Sequence, residues 1–288
     1  CGAGDQARRG QIDLSTPVIA GLGAVAGALL EGLVILLLIG MLTETGAVRK
    51  NFQGIDIPVS MGLSFPVVVM MVFLIYDLLQ WYDISYHLYI LALMSVSFLG
   101  FIDDMLGRRD TLGFKGHFGA LFRGRLTTGG LKALGGGLVA LFTAFFVSEG
   151  WANIIINTLI LALFTNMLNL LDLRPGRAVK GFIFFTVLII IIAGGKMDYV
   201  LLAPLAGAVL WYFRYDLSAR VMMGDAGSNV LGFALGYLAV TELPFNARIG
   251  ILLFLIAMHI FTEKYSLTRI IENTSILRYI DNMGRRLE

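Results

Sequence analysis

The stretch PVIAGLGAVAGALLEGLVILLLIGML, residues 17–42, sets the fold class of this chain. It is longer than the roughly 20 apolar residues that a helix needs to cross a bilayer. The rest of the chain has the same character, since 57% of its residues are hydrophobic and only 15% are charged. Soluble domains carry about 25% charged residues. The composition therefore excludes a soluble enzyme with a single anchor and predicts an all-α protein that crosses the membrane many times.

Eight further apolar segments follow the first. We predict a polytopic helical bundle of about nine transmembrane helices. Ten is the upper estimate, because the sequence does not sharply define where several of the apolar segments begin and end. The domain spans residues 1–263. The tail, 264–288, has apolar residues at helical spacing between arginines, which fits either a helix on the membrane surface or a packed cytoplasmic tail. The predicted spans are 17–42, 58–79, 86–102, 130–148, 152–171, 180–194, 198–213, 228–242 and 247–262.

Lysine and arginine are unevenly distributed between the two sets of loops. Of the 22, 18 lie in the segments that would share one side with the C-terminus. The positive-inside rule then predicts that this side is cytoplasmic and that the N-terminus lies outside. The formal net charge is only +2, and we expect no nucleic-acid partner. Cys1 is the only cysteine, which excludes an internal disulfide or a thiolate metal site.

Four groups of polar residues lie on the predicted cytoplasmic side, where the apolar segments end. Ionisable residues cost roughly 2.5–3.5 kcal/mol at the centre of a membrane helix and less near its end, so their accumulation points to function. The groups are Asp103 with Asp104; Asn166, Asn169 and Asp172; Asp225 between two glycines; and the cations Lys50, Arg123, Arg125, Lys132, Arg174 and Arg177.

Each group also has a structural explanation. The adjacent aspartates fit a solvated helix end, the asparagines fit hydrogen bonds between helices, Asp225 fits a helix N-cap and the cations fit orientation signals. Taken together, carboxylates and amides ringed by cations are what a magnesium–diphosphate site needs, because Mg²⁺ binds through one or two carboxylates plus substrate phosphates. Gly224 would let the backbone approach a phosphate closely. We therefore predict phosphoryl transfer between a soluble and a lipid substrate, with Mg²⁺ or Mn²⁺.

Three motifs in order, FIDD (101–104), NMLNLLD (166–172) and MGDAGS (223–228), resemble the polyprenyl-phosphate N-acetylhexosamine-1-phosphate transferases, glycosyltransferase family 4. The similarity runs from about residue 45 to 245. The resemblance implies Mg²⁺-dependent transfer of a sugar-1-phosphate from a UDP-sugar to undecaprenyl phosphate, with release of the nucleoside monophosphate. It further implies a homodimer in the cytoplasmic membrane, an active site that faces the cytoplasm, and a role in starting a cell-envelope glycopolymer.

By position, the resemblance also assigns roles to residues. Asp225 resembles the metal-binding aspartate, while Asp103 and Asp104 resemble a catalytic pair of which one is proposed to deprotonate the lipid phosphate. Asn169 and Asp172 match a motif on the nucleotide side of the site. Lysines are expected at the phosphates and a methionine against the uracil ring. The full set of expected substrate-binding residues is Lys50, Lys132, Asn166, Asn169, Asp172, Arg174, Arg177, Met222 and Gly224.

The chain departs from the family pattern in two places. Pro175 stands where an aspartate implicated in reading uracil is expected, and the usual His-rich motif is missing after the ninth span. We predict that Arg174 or Arg177 replaces the lost contacts by binding phosphate. Two alternatives stay open. The first is a catalytically altered homologue that binds lipid phosphate as a scaffold or regulator. The second is a CDP-alcohol-type phosphotransferase, because the stretch DLRPGRA (172–178) of this chain weakly resembles the Asp and Arg of that family's signature.

Overall fold

The computed structural model describes residues 16–81, 84–107, 124 and 127–285. Within these ranges, one long helix occupies each of the nine predicted apolar segments. The long helices are α1 (Thr16–Glu44), α2 (Ser64–Leu78), α3 (Ile84–Leu106), α4 (Thr128–Val147), α5 (Trp151–Leu171), α6 (Arg177–Ile192), α7 (Tyr199–Leu217), α8 (Gly224–Glu242) and α9 (Phe245–Lys264). Between α1 and α2 lie the strands β1 (Val48–Lys50) and β2 (Asp56–Pro58) and a 3₁₀ turn (Met61–Leu63), and the tail forms α10 (Leu267–Asn273) and α11 (Ser275–Asn282).

Seven of the described helices are long and apolar enough to cross a membrane, which confirms a multi-pass helical membrane protein. The other two long helices differ from these. Helix α6 has only 16 residues, and α8 has 19 but is less apolar. The number of spans, nine or ten, stays a prediction, and so does the side of the membrane on which each end of the bundle lies.

Large apolar side chains cover the outer surface of the bundle. On α1, Val18, Leu22, Val25 and Leu29 recur at helical spacing and are 51–63% exposed. Leaving apolar surface in water costs about 25 cal/mol per Å². A continuous apolar face of this kind is expected where lipid rather than water covers the protein. These faces therefore support the assignment of the bundle to the membrane.

Helix α8 forms the centre of the bundle. Every residue from Ala226 to Val240 is buried, and the helix packs against α3, α5 and α6. Gly232 and Gly236 let the α5 backbone come close, because a Cβ atom at either position would contact the α5 main chain. The N-terminus of α8 lies beside the last turns of α3 and α5, and this end of the bundle contains most of the predicted site residues.

The β1–β2 hairpin is an addition to the predicted all-α fold. Its strands pair antiparallel, with Val48 opposite Pro58. The carbonyl oxygen of Pro58 accepts a hydrogen bond from the Met222 N–H at 2.8 Å, and the Met61 N–H donates to the Met222 oxygen at 3.0 Å. The hairpin is thus joined by backbone bonds to the segment that leads into α8, and it covers this end of the bundle.

Several helices extend beyond the apolar segments that predicted them. Helix α3 continues to Leu106, α7 continues to Leu217, and α8 already begins at Gly224. Hydropathy ends a segment at the first polar residues, but helical hydrogen bonding continues through them. The polar ends that shortened the predicted spans are therefore helical turns, and they contain the aspartates of the site.

Helices α1 and α7 touch through glycine. A Cβ atom at Gly27 would overlap the backbone of Pro204, whereas one at Gly40, also in α1, would meet no atom within 4 Å. We expect Gly27→Val to lower the free energy of unfolding by about 1–3 kcal/mol, because overpacking forces the helices apart. Gly40→Val should change it far less. Thermal unfolding of the detergent-solubilised variants measures the difference, and equal stabilities would contradict this packing.

Candidate active site

A cavity of about 950 Å³ opens at the end of the bundle where α8 begins. Ligand pockets typically measure about 300–1,000 Å³. The wall is formed by the hairpin, the ends of α3 and α7, the connection between α5 and α6, and the start of α8. The predicted site residues that line it are Lys50, Asp104, Asp172, Arg174, Met222, Gly224 and Asp225. Arg123 and Arg125, predicted to belong to the same group of cations, lie outside the described residues.

The carboxylate of Asp104 holds the N-terminus of α8. Asp104 accepts hydrogen bonds from the backbone N–H groups of Asp225 at 3.0 Å and Ala226 at 3.2 Å. Asp172 lies close enough to the N–H of Gly224 for this group to favour its ionised form. The first N–H groups of a helix have no partner within it, and the positive end of the helix dipole favours a carboxylate. Asp104 therefore fixes the position of Asp225.

The carboxylate of Asp104 is fully occupied by this role. Ser60 Oγ donates to its Oδ2 at 2.5 Å, in addition to the two N–H groups of α8, and the residue is only 6% exposed. The guanidinium of Arg49 donates to the Asp104 carbonyl oxygen. Gly224 has a φ of +72°, and a Cβ atom there would collide with the Asp104 carboxylate, so only glycine fits. This geometry supports a positioning role for Asp104 rather than proton transfer from a lipid phosphate.

Asp103 points in another direction, because consecutive residues of a helix lie about 100° apart. Its Oδ2 is 3.3 Å from the ammonium of Lys132, and the same ammonium donates to Asp225 Oδ2. The three side chains are 20–26% exposed. Asp225 is not the N-cap, a position held by Met223, so the N-cap explanation of Asp225 is wrong. One lysine therefore joins two partly exposed carboxylates; we call Asp103, Lys132 and Asp225 the charge cluster. Of the three, Asp225 lines the cavity, and Asp103 and Lys132 lie behind it.

The two asparagines do not line the cavity. Asn169 Nδ2 lies 3.3 Å from the side-chain oxygen of Asn229 in α8, and Asn229 Nδ2 lies 3.4 Å from the carbonyl oxygen of Val96 in α3. Asn169 thus belongs to a set of polar contacts that link α5, α8 and α3. This is the structural role, hydrogen bonding between helices, that was given above for the asparagines. Asn166 lies one turn earlier and is half-buried. The geometry gives no support to direct substrate contact by either residue.

Arg174 and Arg177 have different surroundings. Arg174 lies in the cavity wall, where its guanidinium is 5.6 Å from the ring centroid of Phe52 in the hairpin and 3.4 Å from Glu272 Oε1 in α10. Arg177 is buried, and its guanidinium donates to the carboxylate of Asp281 at 2.8 and 3.0 Å. Arg177 is therefore engaged with the tail and not directed into the cavity. Of the two arginines predicted to bind phosphate, the geometry supports only Arg174.

Negative charge is in excess around Asp172. Burial raises the pKa of this carboxyl group well above its ordinary value, and the charges of Asp216, Asp225 and Asp104 raise it further. The N–H of Gly224 opposes the shift because it stabilises the ionised form. Four carboxyl groups near one cavity wall repel one another when ionised, and protonation of Asp172 relieves this repulsion.

Asp216 and Ser60 contribute to the site, but the sequence did not point to them. Asp216 lines the cavity and is 4% exposed, and its Oδ2 accepts a hydrogen bond from the N–H of Gly176 at 2.9 Å. The available signal was an acidic residue just after the seventh apolar segment, the same signal that identified Asp103 and Asp104. Ser60 gave no signal, since it lies at the start of an apolar segment and resembles an ordinary loop residue.

The adjacent aspartates should respond differently to substitution. Asp104→Ala leaves two buried N–H groups of α8 without an acceptor, so we expect a loss of about 1–3 kcal/mol in the free energy of unfolding. Asp103→Ala leaves Lys132 paired with Asp225, and we expect a change within about 0.5 kcal/mol. Thermal unfolding in detergent compares the two variants. An equal loss in both would contradict the capping role of Asp104.

Known proteins resemble this chain in the region of the site. Residues 86–242, more than half of the chain, match the model of glycosyl transferase family 4. The phospho-N-acetylmuramoyl-pentapeptide-transferases of Borreliella burgdorferi strain ZS7 and Borrelia garinii subsp. bavariensis are each 25% identical to it, over 85% of this chain and 79% of theirs. The resemblance inferred from the three motifs is thereby confirmed, and the chain belongs to glycosyl transferase family 4, among the polyprenyl-phosphate hexosamine-1-phosphate transferases.

Proposed function

We propose that the protein transfers a sugar-1-phosphate from a nucleotide-sugar of the UDP-N-acetylhexosamine type to undecaprenyl phosphate or another polyprenyl phosphate. The observation that carries the proposal is the charge cluster beside a cavity of about 950 Å³ at one end of a membrane bundle. A site in this place meets a soluble donor from the water and a phosphate from the lipid. Membership of the family supports the same reaction class. The reaction would start a cell-envelope glycopolymer at the cytoplasmic face of the cell membrane.

The residues at the site fit a divalent cation that the substrate helps to hold. Among the described residues, no three His, Cys, Asp or Glu side chains converge on one point. Mg²⁺ commonly binds through one or two carboxylates and completes its coordination with substrate phosphates and water. Asp225 would hold Mg²⁺, or Mn²⁺, and Asp103 is the second carboxylate of the cluster. When bound, the cation would polarise the phosphoryl oxygens and offset charge on the leaving group.

The transfer itself needs mainly positioning and charge. An oxygen of the lipid phosphate attacks the phosphorus that carries the sugar. The bond from this phosphorus to the bridging oxygen breaks, and the nucleoside monophosphate leaves with the electron pair. The second pKa of a phosphate monoester is about 6, so Asp103 need only orient the attacking oxygen or accept a proton briefly. Lys132 would stabilise negative charge on the phosphates, and the same groups would serve a two-step route through an aspartyl-phosphate.

Another part of the cavity fits the nucleoside of the donor. Phe52 is 43% exposed, and the guanidinium of Arg174 lies beside its ring. Met222 is in the same wall, where it would pack against a base. An aromatic face next to a cation suits a base and its adjoining phosphate. Pro175 has no side-chain group that reads a base edge, so recognition here would depend on stacking and charge.

Purified protein incubated with undecaprenyl phosphate, Mg²⁺ and a panel of nucleotide-sugars should release nucleoside monophosphate and form a lipid-linked sugar phosphate. Asp225→Asn should lower kcat by about 100-fold or more, because the charge that offsets the transition state is lost. EDTA should stop turnover until Mg²⁺ is added back.

Asp77→Asn is the matched control, because Asp77 pairs with His87 at the opposite end of the bundle. This variant should keep full activity. Binding of the lipid phosphate without turnover from any donor would contradict the proposal and support the scaffold alternative.

Arg174→Ala should raise the KM for the nucleotide-sugar by about tenfold, equivalent to roughly 1.4 kcal/mol of binding free energy. The reason is the loss of a cation from the cavity wall beside Phe52. Arg220→Ala is the control, since Arg220 is exposed and does not line the cavity. Steady-state kinetics with varied donor measures both variants. An unchanged donor KM in Arg174→Ala would contradict the proposal that Arg174 binds the donor.

A further inference from the structure

The tail is fastened to the bundle by a buried ionic network. Arg177, at the start of α6, donates to both carboxylate oxygens of Asp281 in α11, and Arg285 approaches the same carboxylate at 3.2 Å. The three side chains are only 6–9% exposed. The two-bond pairing of an arginine with a carboxylate is the strongest form of this contact. Removing one partner of such a buried pair is costly, because it leaves a charge without its counterion. We call these three residues the tail clamp.

Further hydrogen bonds connect the tail to the same region. Arg285 donates to the carbonyl oxygen of Pro175 from Nε at 3.2 Å and from Nη2 at 2.9 Å. Lys180 donates to the carbonyl oxygens of Ile280 and Asp281 at 2.9 and 2.7 Å. Arg177 also donates to Thr268 Oγ1, in α10, at 3.0 Å. Both tail helices therefore contact the start of α6 and the residues just before it.

The segment that the clamp holds also forms part of the cavity wall. Residues 173–177 comprise most of the α5–α6 connection and the first residue of α6, and Leu173, Arg174 and Pro175 line the cavity. On the side of α7, the N–H of Gly176 donates to the buried carboxylate of Asp216 at 2.9 Å. The segment is thus held by α7 on one side and by the tail on the other. Without the tail, a single described hydrogen bond to α7 would fix its backbone against the bundle.

We propose that the tail clamp positions the donor-binding wall, so that Arg177, Asp281 and Arg285 act on the reaction without touching the substrate. The inference rests on the proposed function. A segment that is already ordered loses less conformational entropy when a ligand binds against it. Loosening the clamp should therefore weaken donor binding. Asp225 is held separately by Asp104, so the chemical step should change little.

The test compares Asp281→Asn with Arg278→Gln, because Arg278 lies on the same helix but is exposed. Two measurements are made on the detergent-purified protein: hydrogen–deuterium exchange of the backbone between 173 and 177, and steady-state kinetics with each substrate varied. In Asp281→Asn we expect faster exchange in this segment and a donor KM raised about tenfold, the size expected for losing a buried charge-assisted contact. The kcat and the KM for the lipid phosphate should stay within about threefold. Arg278→Gln should change none of these.

A double variant, Arg177→Gln with Asp281→Asn, keeps the test valid if Asp281→Asn alone folds poorly. It leaves only Arg285 without the Asp281 charge, whereas the single variant leaves both Arg177 and Arg285 without it. The double variant should therefore be no less stable than the single variant and should show the same donor KM. Unchanged exchange in 173–177 would overturn the clamp. Faster exchange with an unchanged donor KM would overturn the positioning role, and so would an equal loss in kcat and in both KM values, which is the pattern of general destabilisation.

The same two measurements give a different result if the proposed function is wrong. If the unmodified protein turns over no donor, the proposed reaction is wrong and the role in donor binding falls with it. The exchange measurement then still decides whether the clamp holds the segment, because it does not depend on turnover.

Discussion

The first N–H groups of α8 face a region between packed helices, where they have no partner within their own helix. Asp104 from α3 supplies the acceptor for two of them, those of Asp225 and Ala226. Helix α3 also packs along α8, so closing the helix end and building the bundle depend on the same pair of helices. The position of Asp225 follows from this arrangement. With it follows the position of the charge cluster, because Lys132 reaches both Asp225 and Asp103.

The motifs predicted which helix ends meet, and the structure brings them together. What the sequence could not distinguish was the direction of each side chain. Asp103 and Asp104 are neighbours with the same chemistry, yet one faces Lys132 and the other is buried against α8. Their difference arises from the rotation of the helix relative to its partners, which is set by packing over the whole of α3. The family motif shows that both positions are acidic, but it does not show that the two side chains have different contacts and different burial.

Other features depend on contacts between distant parts of the chain. Arg177 was predicted to bind phosphate because it follows a motif, but its partner is Asp281, 104 residues away. Asp216 was missed because a single acidic residue after an apolar segment has many explanations, and only its bond to Gly176 selects one. The hairpin was missed because its strands have three residues each and are stabilised by pairing with each other and by bonds to the α7–α8 connection. No local pattern could have predicted these three contacts.

The burial of α8 also bears on how the protein is made. This helix is less apolar than the seven that could cross a membrane by their own composition, and it is enclosed by protein along most of its length. Such a segment gains little from partitioning into lipid by itself. Its partners α3 and α5 precede it in the chain, so both have left the ribosome before α8 is synthesised. The earlier helices thus provide the surface against which α8 packs, and the order of segments along the chain becomes part of how the end of the bundle with the candidate site is assembled.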